Sequence, residues 1–157
     1  MLKYVNFDIV FREVPDEVTL AINLSRCPCR CEGCHSPQLQ TDTGEELTLE
    51  VVKGLLAQYG TTITCLCFMG GDAEPLEVAE LAAAVKPDVR TAWYSGRAEL
   101  PKNFPVQHFN YIKLGPYIAQ YGPLDHPTTN QRMYRVTDTG QLEDITEKMR
   151  FGTRFGQ

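Results

Sequence analysis

No stretch of the sequence approaches the roughly 20 consecutive apolar residues that a membrane-crossing helix needs. The opening MLKYVNFDIVFREV is broken by Lys3, Asp8 and Arg12, so it holds no export-signal core. A membrane partner is therefore not expected, and the cytoplasm is the expected compartment. Positive charge is also scarce: 15 Lys and Arg against 20 Asp and Glu leave a formal net charge of −5. That is a poor match to a polyphosphate backbone, so nucleic acid is not expected as a partner either. Internal repeats, charge blocks and low-complexity segments are missing, and nothing divides the chain into separate units.

At 157 residues and 43% apolar content, the chain is long enough to bury roughly two-thirds of the surface it exposes when unfolded. One domain over residues 1–149 is the expectation. The C-terminal RFGTRFGQ repeats Arg-Phe-Gly at 150–152 and 154–156, and residues 150–157 read as a flexible tail.

Periodicity gives alternating elements. EVTLAINLS, Glu17 to Ser25, is a mostly apolar run that suits a buried strand. A helix follows from an N-cap at Thr48, with Leu47 and Val52 as a hydrophobic staple and Val51, Val52, Leu55, Leu56 and Tyr59 at helical spacing, ending at Gly60. TTITCLCFM, Thr61 to Met69, is β-branched and aromatic and reads as a strand covered on both faces. Pro75 opens a second helix with Val78, Leu81, Ala82 and Val85 inward, stopped at Lys86 before Pro87. Val89–Gly96 and Phe109–Tyr117 are further strands joined by RAELPKNFP, too short and proline-rich for a full crossover helix. QRMYRVTDTGQLEDIT predicts a hairpin about TDTG, and ITEKMR one helical turn. The fold class is α/β with a mostly parallel sheet and an irregular β-rich C-terminal part. Functional loops in such folds gather at the carboxyl ends of the strands.

Six cysteines are present, and four of them, Cys27, Cys29, Cys31 and Cys34, fall within SRCPCRCEGCHSP. Without an export signal they read as reduced thiols that bind metal or do chemistry, not as disulfides. Only Cys27, Cys31 and Cys34 give the spacing Cys-x-x-x-Cys-x-x-Cys. Soft thiolates select zinc, copper(I) or iron–sulfur clusters, and an iron–sulfur cube takes one cysteine per iron, so three would leave one iron open. The competing assignment, a structural zinc on all four, must wrap a tetrahedron with almost no loop between ligands, whereas structural sites join two separated pairs. Cys65 and Cys67, two apart on one strand face, are expected to be core fillers. GGDAEP follows the second strand as the cysteine loop follows the first, which brings both to one mouth. By chemistry alone, Gly70, Gly71 and Asp72 are either a ligand-facing turn or a strand-to-helix turn with a solvent-facing Asp72. Likewise TTNQR, Thr128 to Arg132, is either a ligand-recognising set or a hydrogen-bonded turn.

The triad Cys27, Cys31 and Cys34 together with GGDAEP resembles the radical S-adenosylmethionine (SAM) superfamily. Within it, CEGCHSP, TAWYSG and PTTNQRMYRV are similar to the small activating enzymes of anaerobic ribonucleoside-triphosphate reductase. The resemblance implies a truncated (β/α) partial barrel and a [4Fe-4S] cluster on Cys27, Cys31 and Cys34, with SAM on the open iron. It implies SAM contacts from Gly70, Gly71 and Asp72, whose carboxylate would accept from the SAM amino group, from Ser95 and Gly96, and from Asn130, Gln131 and Arg132. The implied activity is reductive SAM cleavage that installs a glycyl radical on the reductase large subunit, with an electron donor such as flavodoxin or ferredoxin. Other small radical SAM enzymes, a pyruvate formate-lyase activator or a deazaguanine synthase, share the triad and the Gly-Gly turn. The chain departs from the pattern at Gly33, where the superfamily often has an aromatic residue, and at YIKLGPY, where many relatives of this group carry Asp-Gly. A role for Lys113 is therefore not carried over.

Overall fold

The computed structural model describes residues 1–25 and 44–150. Cys27, Cys29, Cys31, Cys34 and Gly33 lie outside the described residues, as do residues 151–157 of the expected tail.

The chain is α/β, built on one eight-stranded mixed sheet. Its strands are β1 (Lys3–Val10), β2 (Thr19–Leu24), β3 (Glu45–Glu46), β4 (Cys65–Met69), β5 (Arg90–Tyr94), β6 (Tyr111–Leu114), β7 (Arg132–Val136) and β8 (Leu142–Asp144). They lie side by side in the order β3-β1-β2-β4-β5-β6-β7-β8. The centre, β2-β4-β5-β6, is parallel throughout, as the alternating elements imply. The flanks are antiparallel: β1 and β3 on one side and the β7–β8 hairpin on the other. The sequence reading did not anticipate β1, because Lys3, Asp8 and Arg12 mask its alternation. Phe7 and Ile9 pair with Ile22 and Leu20 on one face, while Asn6 and Asp8 pair with Asn23 and Ala21 on the other.

Helix α1 (Leu49–Tyr59) starts where expected: the Thr48 hydroxyl accepts from the Val51 N–H at 3.2 Å, satisfying one of the orphan donors of the first turn. Its C-cap Gly60 keeps right-handed angles, with φ −60°, so this helix ends without the left-handed turn that a terminal glycine suggests. Helix α2 (Pro75–Val85) carries proline in its first turn and buries Val78, Ala79, Ala82 and Val85. The strand expected from Thr61 begins only at Cys65, because Thr61–Thr64 turn the chain out of α1. A four-residue helix, α3 (Glu147–Arg150), supplies the last helical turn.

Strand alternation separates two cores. Leu20, Ile22, Leu24, Leu66, Phe68, Trp93, Ile112 and Leu114 point to the face that α1 and α2 cover. Between β5 and β6 there is only a 3₁₀ turn, Val106–His108. Phe104 and Phe109 stack there on Trp93, with centroids 4.9 and 6.1 Å from it. The opposite face carries Cys65, Cys67, Ala92 and Met133, covered by Val14, Leu124 and Met149. Cys65 and Cys67 are fully buried, as expected of fillers.

At Gly71, which has φ +80°, an added Cβ would lie 2.7 Å from Val78 Cγ2 and 2.8 Å from Leu24 Cδ1. Gly71→Ala therefore combines left-handed strain with overpacking and should destabilise the protein by about 2–4 kcal/mol, read as a lowered urea midpoint with unchanged slope. Wild-type stability in that variant would refute the packing assigned to this turn.

Candidate functional site at one edge of the parallel strands

Parallel strands end together, and the four central ones deliver four segments to a single edge of the sheet. Ser25, the last described residue before the cysteine-bearing segment, follows β2 and donates its N–H to the Lys3 carbonyl at 3.0 Å. Gly70, Gly71 and Asp72 follow β4, Ser95 to Arg97 follow β5, and Gly115 follows β6. The chain before β7, which runs the other way, returns to the same edge: an added Cβ on Gly115 would lie 3.0 Å from Gln131 Cα and 3.4 Å from Asn130 O.

Asp72 lies at the centre of these segments. It is 1% exposed, so the solvent-facing alternative does not hold. Its Oδ1 accepts from the Ser95 hydroxyl, and its Oδ2 accepts from the Gly96 N–H at 3.1 Å. Arg97 places Nε 3.9 Å from Oδ1 and donates from Nη2 to the Asp72 carbonyl at 3.0 Å. The Ser95 hydroxyl also accepts from the Arg97 N–H at 3.0 Å. The Ser95 main chain is held from the other side, where its N–H donates to the Lys113 carbonyl and its carbonyl accepts from Lys113 Nζ at 3.2 Å.

Lys113 was not carried into the site by the sequence reading, and the structure puts it there. It is 8% exposed, on the face shared with Tyr94 and Tyr111, and it also donates to the Gly115 carbonyl at 2.8 Å. Its Nζ sits 5.7 Å from the Tyr94 ring centroid, a cation–π geometry. The signal was available: a lone lysine inside an apolar β-run, at a position whose neighbours Ile112 and Leu114 must face the helices. Tyr94 is half-buried and donates its hydroxyl to the Glu13 carbonyl. Burial pushes its phenol well above the ordinary range.

Gly70 and Gly71 both have left-handed φ, at +100° and +80°. The room at Gly71 is filled by Val78 and Leu24, so its lack of a side chain serves strand-to-helix packing. Gly70 donates its N–H to the Tyr94 carbonyl at 2.9 Å and accepts from the Trp93 indole at 2.6 Å. Much of TTNQR is a hydrogen-bonded turn: Thr128 donates to the Tyr121 carbonyl, Asn130 Nδ2 to the Pro116 carbonyl at 3.0 Å, and the Gln131 N–H to the Thr129 hydroxyl. Asn130 Oδ1 is buried and accepts no hydrogen bond. The structure does not bring Arg132 to this group. It shares a face of β7 with Tyr134 and Val136, pairs with Asp144 at 3.6 Å, and lines a cavity of about 430 Å³ with Ile145, Glu147 and Lys148.

The opposite ends of these strands carry a buried acid. Glu17, 7% exposed, accepts from the Thr64 and Tyr111 hydroxyls at 2.6 and 2.7 Å, and Arg90 lies 3.7 Å away. Among the described residues no group of three or more His, Cys, Asp or Glu side chains is placed to hold a metal. Cys65 and Cys67 are unsuited to it, because burial pushes both thiols up and keeps them neutral, whereas the metal ligand is the thiolate. Comparison of the chain with protein-family models, curated proteins and solved structures finds no match.

Neutral buried thiols give a testable pH dependence. Both thiols keep their protons in the native state to higher pH than in the unfolded chain. Their contribution to stability is therefore complete below about pH 8.5, the ordinary thiol pKa, and is lost as pH rises above it. Native protein treated with iodoacetamide at pH 8 should leave Cys65 and Cys67 unmodified, and unfolding in urea should expose both to quantitative alkylation. Peptide mass spectrometry checks this, and native labelling at either position would contradict the assigned burial.

Proposed function

We propose that the chain is a radical SAM enzyme, a truncated (β/α) partial barrel that acts as an activase for anaerobic ribonucleoside-triphosphate reductase. The observation that carries the reading is the convergence at one sheet edge of Ser25, where the triad-bearing segment departs, with Gly70–Asp72, Ser95–Gly96 and Asn130–Gln131. Edges of this kind are where ligands sit in open α/β sheets.

The donor set fits the group that the reading requires. Three thiolates at Cys27, Cys31 and Cys34 suit an iron–sulfur cube with one open iron. The buried, unused acceptor Asn130 Oδ1 fits a donor arriving with a ligand, because a buried carbonyl left unpaired is costly. When bound, cluster and SAM supply one-electron cleavage of the sulfonium and hydrogen-atom abstraction from a glycine Cα of the reductase large subunit, with flavodoxin or ferredoxin as electron source. The work of this chain is binding, orientation and exclusion of water. Cys27, Cys31 and Cys34 hold iron, the Gly70–Asp72 turn and the Ser95–Gly96 turn form the floor, and Asn130 Oδ1 accepts from the ligand. The apolar face of Cys67, Met69, Ala92 and Met133 behind them keeps water out.

Anaerobic reconstitution with iron and sulfide should give about four iron and four sulfide per chain, and Cys31→Ala should fail to hold that cluster. Reduced protein with SAM and the reductase large subunit should then produce a glycyl-radical signal in electron paramagnetic resonance. A colourless protein that takes up one tight zinc, or a Cys31→Ala variant with a full cluster, overturns the proposal. SAM cleavage without a glycyl radical would overturn the reductase as partner.

A further inference from the structure

Ser95 has no polar atom left for a ligand. Its N–H and carbonyl are both engaged with Lys113, and its hydroxyl donates to Asp72 while accepting from the Arg97 N–H. The residue is 0% exposed. Asp72 is 1% exposed, with one carboxylate oxygen accepting from the Ser95 hydroxyl and lying 3.9 Å from Arg97 Nε, and the other accepting from the Gly96 N–H. Both residues therefore bridge the ends of β4, β5 and β6, and neither presents a group to the space beyond the edge.

Resting on the functional reading above, we infer that Asp72 and Ser95 are positioning residues for SAM and do not touch it. They act through the Gly96–Arg97 turn. The Asp72 carboxylate fixes the Gly96 N–H and, with its own carbonyl, aligns the Arg97 guanidinium. Ser95 transmits that geometry to Lys113 and the end of β6. This reassigns the Asp72 carboxylate, which the family resemblance pairs with the SAM amino group. A carboxylate at 1% exposure, with one oxygen on a hydroxyl and the other on an amide, has no open face for that amine unless the Ser95 or Gly96 contact is released.

The two roles separate by ligand. Affinities of the anaerobically reconstituted protein are measured for SAM and for its analogue with a hydroxyl in place of the methionine amino group. Asp72→Asn keeps the shape but removes the charge and one acceptor, and should weaken both ligands by the same factor, about tenfold. Iron content should be unchanged. Ser95→Ala should give the same pattern, and the double variant should be no weaker than the worse single one, since both act through one turn. Loss of affinity for SAM with none for the analogue means that Asp72 meets the amine and overturns the inference. A lowered melting temperature with both affinities intact means a purely structural role and overturns it too. Wild-type protein with no affinity for SAM overturns the functional reading, and this inference with it.

Discussion

A carboxylate held at 1% exposure has to be met by donors on every side, because an unpaired buried charge costs several kcal/mol. Asp72 meets that demand by drawing in the hydroxyl of Ser95, the N–H of Gly96 and the side chain of Arg97. The rest of the edge follows. The chain can deliver the carboxylate only by turning sharply after β4, and Gly70 and Gly71 allow this with left-handed angles that a side chain at Gly71 would block against Val78 and Leu24. Ser95, once bound, carries its main chain to Lys113. A lysine at 8% exposure is itself expensive to bury, and it is satisfied by the carbonyls at the ends of β5 and β6 and by the face of Tyr94. One buried anion and one buried cation, bridged by a serine, thus fix three strand ends relative to one another.

The period of two along the strands decides what lies behind that edge. The helix-covered face takes the large hydrocarbon side chains, and the other takes Cys65, Cys67, Met69, Ala92 and Met133. Small and sulfur-containing residues suit a face roofed by loops and the single turn of α3, because thioethers fill irregular gaps that branched side chains leave open. Neutral thiols there also keep Cys65 and Cys67 apart in chemistry from the Cys27–Cys34 segment.

The helices and the central strands were legible because their signals are local: the Thr48 cap, the proline in the first turn of α2, and apolar runs bounded by glycine. β1 was not, because an edge-side strand with one wet face shows polar residues at alternate positions, and a charged one among them looks like an interruption. The convergence of GGD, Ser95 and Asn130 was legible through the rule that parallel strands end together. The division of labour inside the site was not. Whether Asp72 looks outward or inward depends on its distance to Ser95 and Gly96, twenty-odd residues away, and no spacing in the sequence encodes it. Lys113 was undervalued for the same reason, and Arg132 was overvalued: one residue of register on β7 turns it to the face of Tyr134 and Val136.

The short connection between β5 and β6 links the core to the site. Pro101 and Pro105 deny it a helix, and Phe104 and Phe109 cover that part of the sheet by stacking on Trp93, each pair worth about 0.5–1.5 kcal/mol beyond the area it buries. The stack packs against the indole, whose N–H meets the Gly70 carbonyl at 2.6 Å while the Gly70 N–H is taken by the Tyr94 carbonyl. Both polar groups of the Gly70 main chain are thereby committed before any ligand arrives. The turn that carries Asp72 is consequently oriented by aromatic packing on one face of the sheet and by buried charge at its edge, and a truncated crossover becomes part of what holds the site in shape.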